Sequence, residues 1–498
     1  MITQPITGID ILKFVDGEFR TAAREVLELH SLDVPGRIEK LQCIEVVHGD
    51  GLVFSYRENF SKFRRGDYVL LNPYGPDLAG EGVREGGRYI IEGIDEEKRT
   101  ILLEEPNYVL STHFRPEPGQ PCVIDTRIPE RFPLYTYPEW ASAYLKTEKD
   151  PGPIIRKIFS GKYKDEKIKG PFPDPPKCLL KMQRKAFRHA LRHRLSLIQG
   201  PPGTGKTFLI AQIVEAFVNM GRRVFICSFS HRAINNALNA CVRDTALKGI
   251  TKDGGEYSRD DLDERVSGEN RRVVGGTAFE AFKEKARDIN RIRKQGGFQR
   301  PLASGIRDES YWLDLDRYNR ALFEEGVKGV EPEYDVVIFD EASQILLHHA
   351  LMAMPSGKQY IFVGDHRQMP PVVQGFHRSN PANQSVFSLL LGYYPGLNTM
   401  LDETRRMNLA ICSFPSSEYY EDRLQPIAAV RERKLEVRSF PKDRVLASII
   451  DPDAPVVFVH VDHEGCTQES PAEASIVARI VFELVSRGKV EPILGYSF

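Results

Sequence analysis

The seven cysteines of this 498-residue chain, at 43, 122, 178, 227, 241, 412 and 466, include no C-x-x-C pair. Neither a structural zinc site nor a secreted disulfide framework is expected, and a reduced compartment is, cytoplasmic or nuclear in a eukaryote. No apolar run approaches the ~18 residues of a membrane span, and the N-terminus MITQPITGIDILKFVDGEF lacks a basic segment followed by an apolar one. Export and membrane spanning are therefore not expected. An excess of one charge is missing too: 68 Lys and Arg stand against 69 Asp and Glu, a net charge of −1. That excludes a uniformly basic coat, so any polyanion must be held by local patches. There is no internal repeat and no low-complexity tract. What is present, 41% hydrophobic and 28% charged residues, suits folded globular domains, about three of them at this length.

The texture changes along the chain. From about 37 to 105, period-two alternation is broken by turn chemistry, as in CIEVVHGDGLVFSY, DYVLLNP and RYIIEGIDEEKRTILLEE; this predicts a small antiparallel β-barrel within 1–110. Twelve of the 33 prolines fall between 116 and 176, a density that disfavours long helices and central strands and predicts a connector over 111–175. Beyond Pro176, apolar runs at 195–200, 222–228, 271–276, 334–340 and 359–365 alternate with helical periodicity. Such runs predict a parallel sheet covered on both faces, hence an α/β domain over 176–380. Within it, about 282–330 is charged and helix-forming and reads as a helical insertion. The last part, 381–498, holds one more expected buried strand, PVVFVHV at 455–461. A helix follows, capped by Ser470 with Pro471 at N1 and Glu473 closing a capping box, and stopped by Gly488. The final PILGYSF reads as another strand.

Three motifs carry chemistry. Gly200-Pro201-Pro202-Gly203-Thr204-Gly205-Lys206-Thr207 satisfies G-x-x-x-x-G-K-[ST] between an apolar strand and a helix. Backbone N–H groups of such a loop cradle phosphate, Lys206 neutralises the β- and γ-phosphates, and the Thr207 hydroxyl ligates Mg²⁺. Downstream, Asp340-Glu341 follows the apolar run YDVVIF, at the strand end where open parallel sheets bind ligands. Asp340 is expected to hold Mg²⁺ through water and Glu341 to polarise the attacking water; the competing reading is a pair of helix N-terminal charges. In VGDHRQMPP, Gln368 can read a γ-phosphate by hydrogen bonding without titrating, against the alternative of a solvated turn.

In this order LSLIQGPPGTGKT, DEASQ, GDHRQMPPVV and LDETRRMNLAICSFPSSEYYEDRL resemble superfamily 1 helicases of the nonsense-mediated-decay type, over roughly 176–480. The resemblance implies two RecA-like motor lobes, the second partial here, with the β-barrel and the helical insertion as accessory domains. It implies that Gln183 reads adenine, that Ser230 and Asn235 of SFSHRAINNAL and Thr277 of VVGGTAF contact the nucleic-acid backbone, and that Arg406 reaches the γ-phosphate. Arg405 stands where the family has a base-stacking tyrosine; a guanidinium can also stack. His231 and Asn235 replace the usual Asn and Asp of the backbone-gripping motif. The family's later Q-G-x-E and R-x-N-V-A-x-[ST]-R motifs do not occur before Phe498, so impaired unwinding is expected.

For the strand itself, eight Lys and Arg and no carboxylate lie between 175 and 214; a solvated helix face is the competing reading. In SYRENFSKFRRGDY, Tyr56, Phe60 and Phe63 interleave with Arg57, Lys62, Arg64 and Arg65, a pattern that suits single strands but equally suits core packing. Arg291, Arg293, Lys294 and Arg300 cluster in the insertion. Cys227, Cys412 and His348-His349 read as structural. The expectation is an ATP- and Mg²⁺-dependent helicase or translocase on single-stranded DNA or RNA, monomeric. Its rivals are an ATP-gated nucleic-acid-binding switch and a phosphate-loop ATPase with no polynucleotide role.

Overall fold

The computed structural model describes all residues outside 1–4, 32–38, 47–50, 57–64, 66–67, 74–86, 96, 105–115, 127–133, 149–150, 255–258, 260, 267–270, 302–306, 327–331, 376, 378–379, 438, 465–469 and 488–498. It forms two compact units: Met1–Pro173, His189–Leu197 and Ile210–Asn398 make the first, and Asp174–Arg188, Ile198–Leu209 and Thr399–Phe498 the second.

The first unit opens with helix α1 (Gly8–Ser31). Six strands follow: β1 (Glu39–Val46), β2 (Gly51–Tyr56), β3 (Tyr68–Pro73), β4 (Gly87–Asp95), β5 (Thr100–Glu104) and β6 (Pro121–Thr126). They close into an antiparallel barrel in the order β1-β2-β5-β4-β3-β6. Alternate residues such as Leu52, Phe54, Tyr56, Ile101 and Leu103 point into a buried core. The barrel is the one expected, but its closing strand lies in the proline-rich stretch read as a connector. Pro121 is the first residue of β6, a position where no ladder N–H is needed.

Short helices α2 (Thr136–Ala141) and α3 (Gly152–Phe159) lead to α4 (Lys181–Arg192), β7 (Leu195–Gln199) and α5 (Lys206–Asn219). Then come β8 (Val224–Cys227), α6 (His231–Asp244), β9 (Ile250–Lys252), β10 (Val273–Gly276), α7 (Ala278–Gln295) and α8 (Glu309–Gly326). Next are β11 (Val336–Phe339), α9 (Leu347–Ala353), β12 (Gln359–Gly364), α10 (Val386–Tyr393) and β13 (Asn398–Met400). The sheet order is β13-β7-β12-β11-β8-β10-β9. β11 runs parallel to β12 and β8, and β10 parallel to β8 and β9. Every residue of β8, β10, β11 and β12 is buried, so these strands read as continuous apolar runs. This is the expected RecA-like α/β sheet. The insertion is helical, and α8 packs with α1, α2 and α7 over one core that includes Trp140, Phe282, Leu315 and Phe323. Arg300 clamps the fully buried Glu139 of α2 through two bonds, at 2.9 and 3.2 Å. α10 adds Val386, Phe387, Leu389 and Leu390 to this core.

The second unit continues through β14 (Glu403–Thr404), α11 (Leu409–Tyr420), β15 (Gln425–Pro426), α12 (Ala428–Arg431), α13 (Arg444–Ile449) and α14 (Pro471–Arg487). In it β14 pairs with β15 in parallel. A small core of Met400, Cys412, Tyr420 and Leu424 lies under α11. The expected strand at 455–461 is absent: the segment is irregular and Phe458 is 88% exposed. Apolar content marks a segment that can be buried; a strand also needs a neighbour with a free edge. Ser470 caps α14, accepting from Glu473 N at 3.3 Å, but the Glu473 carboxylate meets His463 at 2.6 Å instead of closing a capping box. Gly488 and the PILGYSF strand lie outside the described residues. No helix among the described residues is long and apolar enough to cross a membrane.

Candidate functional site

The phosphate loop runs from the end of β7 into the first turn of α5. Gly203 and Gly205 have φ of +74° and +77°, which L side chains rarely adopt. Five consecutive carbonyls are held by the protein itself. Gly200 O accepts from Lys206 Nζ at 2.9 Å, Pro201 O from Thr204 Oγ1 at 2.7 Å, and Pro202 O from Thr404 Oγ1 at 3.0 Å. Gly203 O accepts from Arg405 N at 2.8 Å and Thr204 O from Gln183 Nε2 at 2.9 Å. Pro201 and Pro202 have no N–H, and the Thr204 N–H donates to Pro201 O at 3.3 Å. It is therefore the peptides tied at the 202 and 204 carbonyls that turn N–H groups, those of Gly203 and Gly205, to the other side, as in a backbone nest for anions. The start of α5 adds the positive end of its dipole.

Gln183, expected at adenine, is 2% exposed and has both amide ends committed: Oε1 accepts from Leu180 N at 2.9 Å while Nε2 braces Thr204. It positions the loop. Arg405 and Arg406 have exposed side chains and are seated on the loop through backbone. Thr404, a neutral residue beside the basic pair of LDETRRM and without a signal of its own in the sequence, is the buried residue that anchors them.

In the other unit, Asp340 and Glu341 follow β11, as the sequence predicts. Asp340 is 4% exposed; its N–H donates to Cys227 O at 2.9 Å and its carbonyl accepts from Ser228 Oγ at 2.9 Å. Glu341 is left-handed, φ 51° and ψ 40°, and its N–H donates to Asp340 Oδ1 at 2.9 Å. The turn is pressed against β12: a Cβ on Gly364 would stand 2.8 Å from Ser343 N and 3.1 Å from Ala342 N. Exposed Gln368 is tethered to buried Asp365, Nε2 to Oδ2 at 2.8 Å and N to O at 3.0 Å. Asp365 is the acid of the G-D-x-x-Q motif to which Gln368 belongs.

The expected nucleic-acid residues divide. Ser230 and Thr277 are the N-caps of α6 and α7, accepting from Ala233 N at 3.2 Å and Glu280 N at 3.4 Å. They follow adjacent parallel strands in which Cys227 pairs with Gly276, so both helix N-termini open at the same end of the sheet. Asn235 is 3% exposed on the inner face of α6, where a strand could not grip it. His231 Nδ1 meets Lys252 Nζ at 2.9 Å; burial, and then the Lys252 charge, push the imidazole down to about 4. Burial likewise pushes Lys252 down to about 8. Arg65 pairs with Glu92 at 3.7 Å, Tyr56 is barrel core, and Arg57, Phe60, Lys62, Phe63 and Arg64 lie outside the described residues. On α4, Lys181, Lys185 and Arg188 form an exposed face, whereas Arg184 is bonded to Leu179 O and Lys177 O. Arg291 is paired with Asp288 and Arg300 with Glu139. Cys227 and Cys412 are buried, and burial raises both thiols. Among the described residues no group of three or more His, Cys, Asp or Glu could hold a metal ion.

Two family models, each described as an AAA domain, match residues 183–374 and 382–495. The ATP-dependent helicase NAM7 of Saccharomyces cerevisiae is 30% identical over 277 residues, 52% of this chain and 27% of the relative. The DNA replication ATP-dependent helicase/nuclease JHS1 of Arabidopsis thaliana is 31% identical over 323 residues, 63% of this chain and 22% of the relative. The uncharacterized ATP-dependent helicase MJ0104 of Methanocaldococcus jannaschii is 26% identical over 486 residues, 84% of this chain and 70% of the relative. The chain thus spans about a quarter of the length of the first two relatives. With the phosphate loop, the acidic strand end and the sensor turn in this order, the chain carries two AAA-domain matches and is similar to the superfamily 1 helicases of the DNA2/NAM7-like type.

Proposed function

We propose that the chain is an ATP-dependent motor on single-stranded nucleic acid, hydrolysing ATP to ADP and phosphate. The observation that carries the reading is the phosphate loop, whose carbonyls are braced from 200 to 204 so that the N–H groups of Gly203 and Gly205 are set for phosphate. Lys206 would exchange its bond to Gly200 O for the β- and γ-phosphate oxygens. The Thr207 hydroxyl and the buried Asp340 carboxylate are each hard oxygen ligands of the kind Mg²⁺ takes; the ion, when bound, would neutralise charge on the transferring phosphoryl group. Glu341 would take the proton of the attacking water, Gln368 would sense the γ-phosphate by hydrogen bonding, and Arg406 would place positive charge on it. Arg405 would lie against the nucleotide or the base.

For the strand, the α6 and α7 N-termini with Ser230 and Thr277 offer backbone N–H donors to phosphates, and the Lys181, Lys185 and Arg188 face of α4 offers charge. Both suit sequence-independent binding of DNA or RNA. The test is phosphate release with and without single-stranded DNA or RNA. Stimulation of the parent, and loss of hydrolysis in Lys206→Ala, are expected. Hydrolysis by Lys206→Ala at the parent rate would sink the nucleotide assignment, and indifference to either polymer would reduce the chain to an ATPase with no polynucleotide role.

A further inference from the structure

We propose that Thr404 is a positioning residue that ties the conformation of the phosphate loop to Arg406; the inference rests on the ATPase reading above. Its side chain is fully buried, and its one hydroxyl is used twice: Oγ1 donates to Pro202 O at 3.0 Å and accepts from Arg406 N at 3.2 Å. A single hydroxyl bonded both ways joins the loop peptide at 202 to the backbone of 406 with nothing between them.

The seat is shaped for it. Arg405 N donates to Gly203 O at 2.8 Å. Gly203 lacks the Cβ that would stand 2.4 Å from Arg406 Cβ and 2.6 Å from Thr404 Oγ1. From the other side, Thr404 is fixed in β14, which pairs with β15, and its carbonyl accepts from Ile427 N at 3.0 Å. Thr404 is therefore held between the loop that grips phosphate and the segment that continues into α11. A shift of the Pro202–Gly203 peptide is passed to the backbone from which the Arg406 side chain springs. Ser keeps both functions of the hydroxyl, and Val, equal in shape, keeps neither. A misplacement of about 1 Å in a charged group that acts on the transition state costs on the order of a hundredfold in rate.

The test is steady-state ATP hydrolysis by the full chain as parent, Thr404→Val, Thr404→Ser, Arg406→Ala and the double variant Thr404→Val/Arg406→Ala. Thr404→Val is expected to lower kcat by about ten- to a hundredfold with KM within about threefold, the mark of an interaction that matters in the transition state. Thr404→Ser should stay within about threefold of the parent. Because Thr404 acts through Arg406, the double variant should be no slower than Arg406→Ala alone. Thr404→Ala, which asks no second methyl to fit, makes the same comparison if the valine variant does not fold. Val at the parent kcat, failure of Ser to rescue, or losses that multiply in the double variant would each overturn the coupling while leaving the ATPase reading in place. A parent that neither binds nor hydrolyses ATP overturns that reading, and the coupling with it.

Discussion

Glu341 sits in the left-handed region, and replacing it should separate stability from activity. For an L residue that conformation costs about 1–2 kcal/mol, and glycine occupies it without penalty at an entropic cost of about 0.5–1 kcal/mol in the unfolded chain. With φ 51° and ψ 40° at Glu341, Glu341→Gly should change the unfolding free energy by between about 0 and +1.5 kcal/mol. At about 2–4 °C per kcal/mol, the melting temperature should hold or rise by a few degrees. The Glu341 N–H bond to Asp340 Oδ1 and the bond its carbonyl receives from Gln344 N are both backbone groups, so glycine keeps them. Hydrolysis should fall by about 10²–10⁴, the share of a positioned general base. That is about 3–5 kcal/mol of barrier, more than the strain, which is why a carboxylate stands where glycine fits better. Thermal melts and single-turnover phosphate release on parent, Glu341→Gly and Glu341→Asn would measure both sides, asparagine being the residue that tolerates this backbone while lacking the base. A glycine variant destabilised by more than about 1 kcal/mol refutes the strain argument, and one that hydrolyses at the parent rate refutes the role of the carboxylate.

Gly364→Ala forces a Cβ against the backbone nitrogens of Ala342 and Ser343; about 1–3 kcal/mol of stability and most of the activity should go together, and a variant equal to the parent in both melting and turnover would show that the turn yields freely. Ser230→Ala should cost about 1 kcal/mol as a lost cap, whereas Ser230→Asp keeps the cap and sets a negative charge at the expected phosphate contact; unchanged single-strand affinity in the aspartate variant, by fluorescence anisotropy, would leave Ser230 a cap and nothing more. Burial, joined by the His349 charge, holds His348 well below its ordinary value, and burial pushes His349 down to about 4. The unfolded chain therefore takes up more protons between about pH 4 and 6.5, and stability should fall on acidification through that window by up to about 1.4 kcal/mol per pH unit for each imidazole. Urea melts from pH 7.5 to 4.5 should show the slope and His349→Gln should flatten it; an unchanged slope in that variant would place the proton uptake elsewhere.

The sheet was legible because parallel strands covered on both faces need apolar residues at every position, as VFIC and VVIF have. β9 and β13, three residues each, carry too little pattern to be seen, and β6 hid behind its leading proline. PVVFVHV misled for the opposite reason, having the composition of a central strand without a partner to pair with among the described residues. Lys206, Thr207, Asp340, Glu341 and Gln368 stood out as candidates because the chemistry expected of them follows from residue type and spacing. Thr404 and the bracing role of Gln183 did not, since both act by bonding to backbone carbonyls distant in sequence, and nothing in a side chain's identity says which carbonyl it will meet.

That difference has a consequence for how the phosphate loop works. Of the residues that donate to the carbonyls of 200–204, four, Thr204, Thr404, Arg405 and Gln183, do so through hydroxyl, amide or backbone groups, and one, Lys206, through a cation. A polyphosphate competes well for an ammonium and poorly for neutral donors already bonded to carbonyls. Binding should therefore draw away Lys206 and leave the other four in place, so the ordering of the loop, about 1–2 kcal/mol for each fixed residue, is met by folding and not by the nucleotide. The two kinds of support then respond differently to salt. Losing Lys206 removes a charge whose contribution shrinks as ionic strength rises, so the affinity gap between parent and Lys206→Ala should narrow from low to high salt. Losing the Gln183 amide loosens the loop itself, and that gap should stay constant.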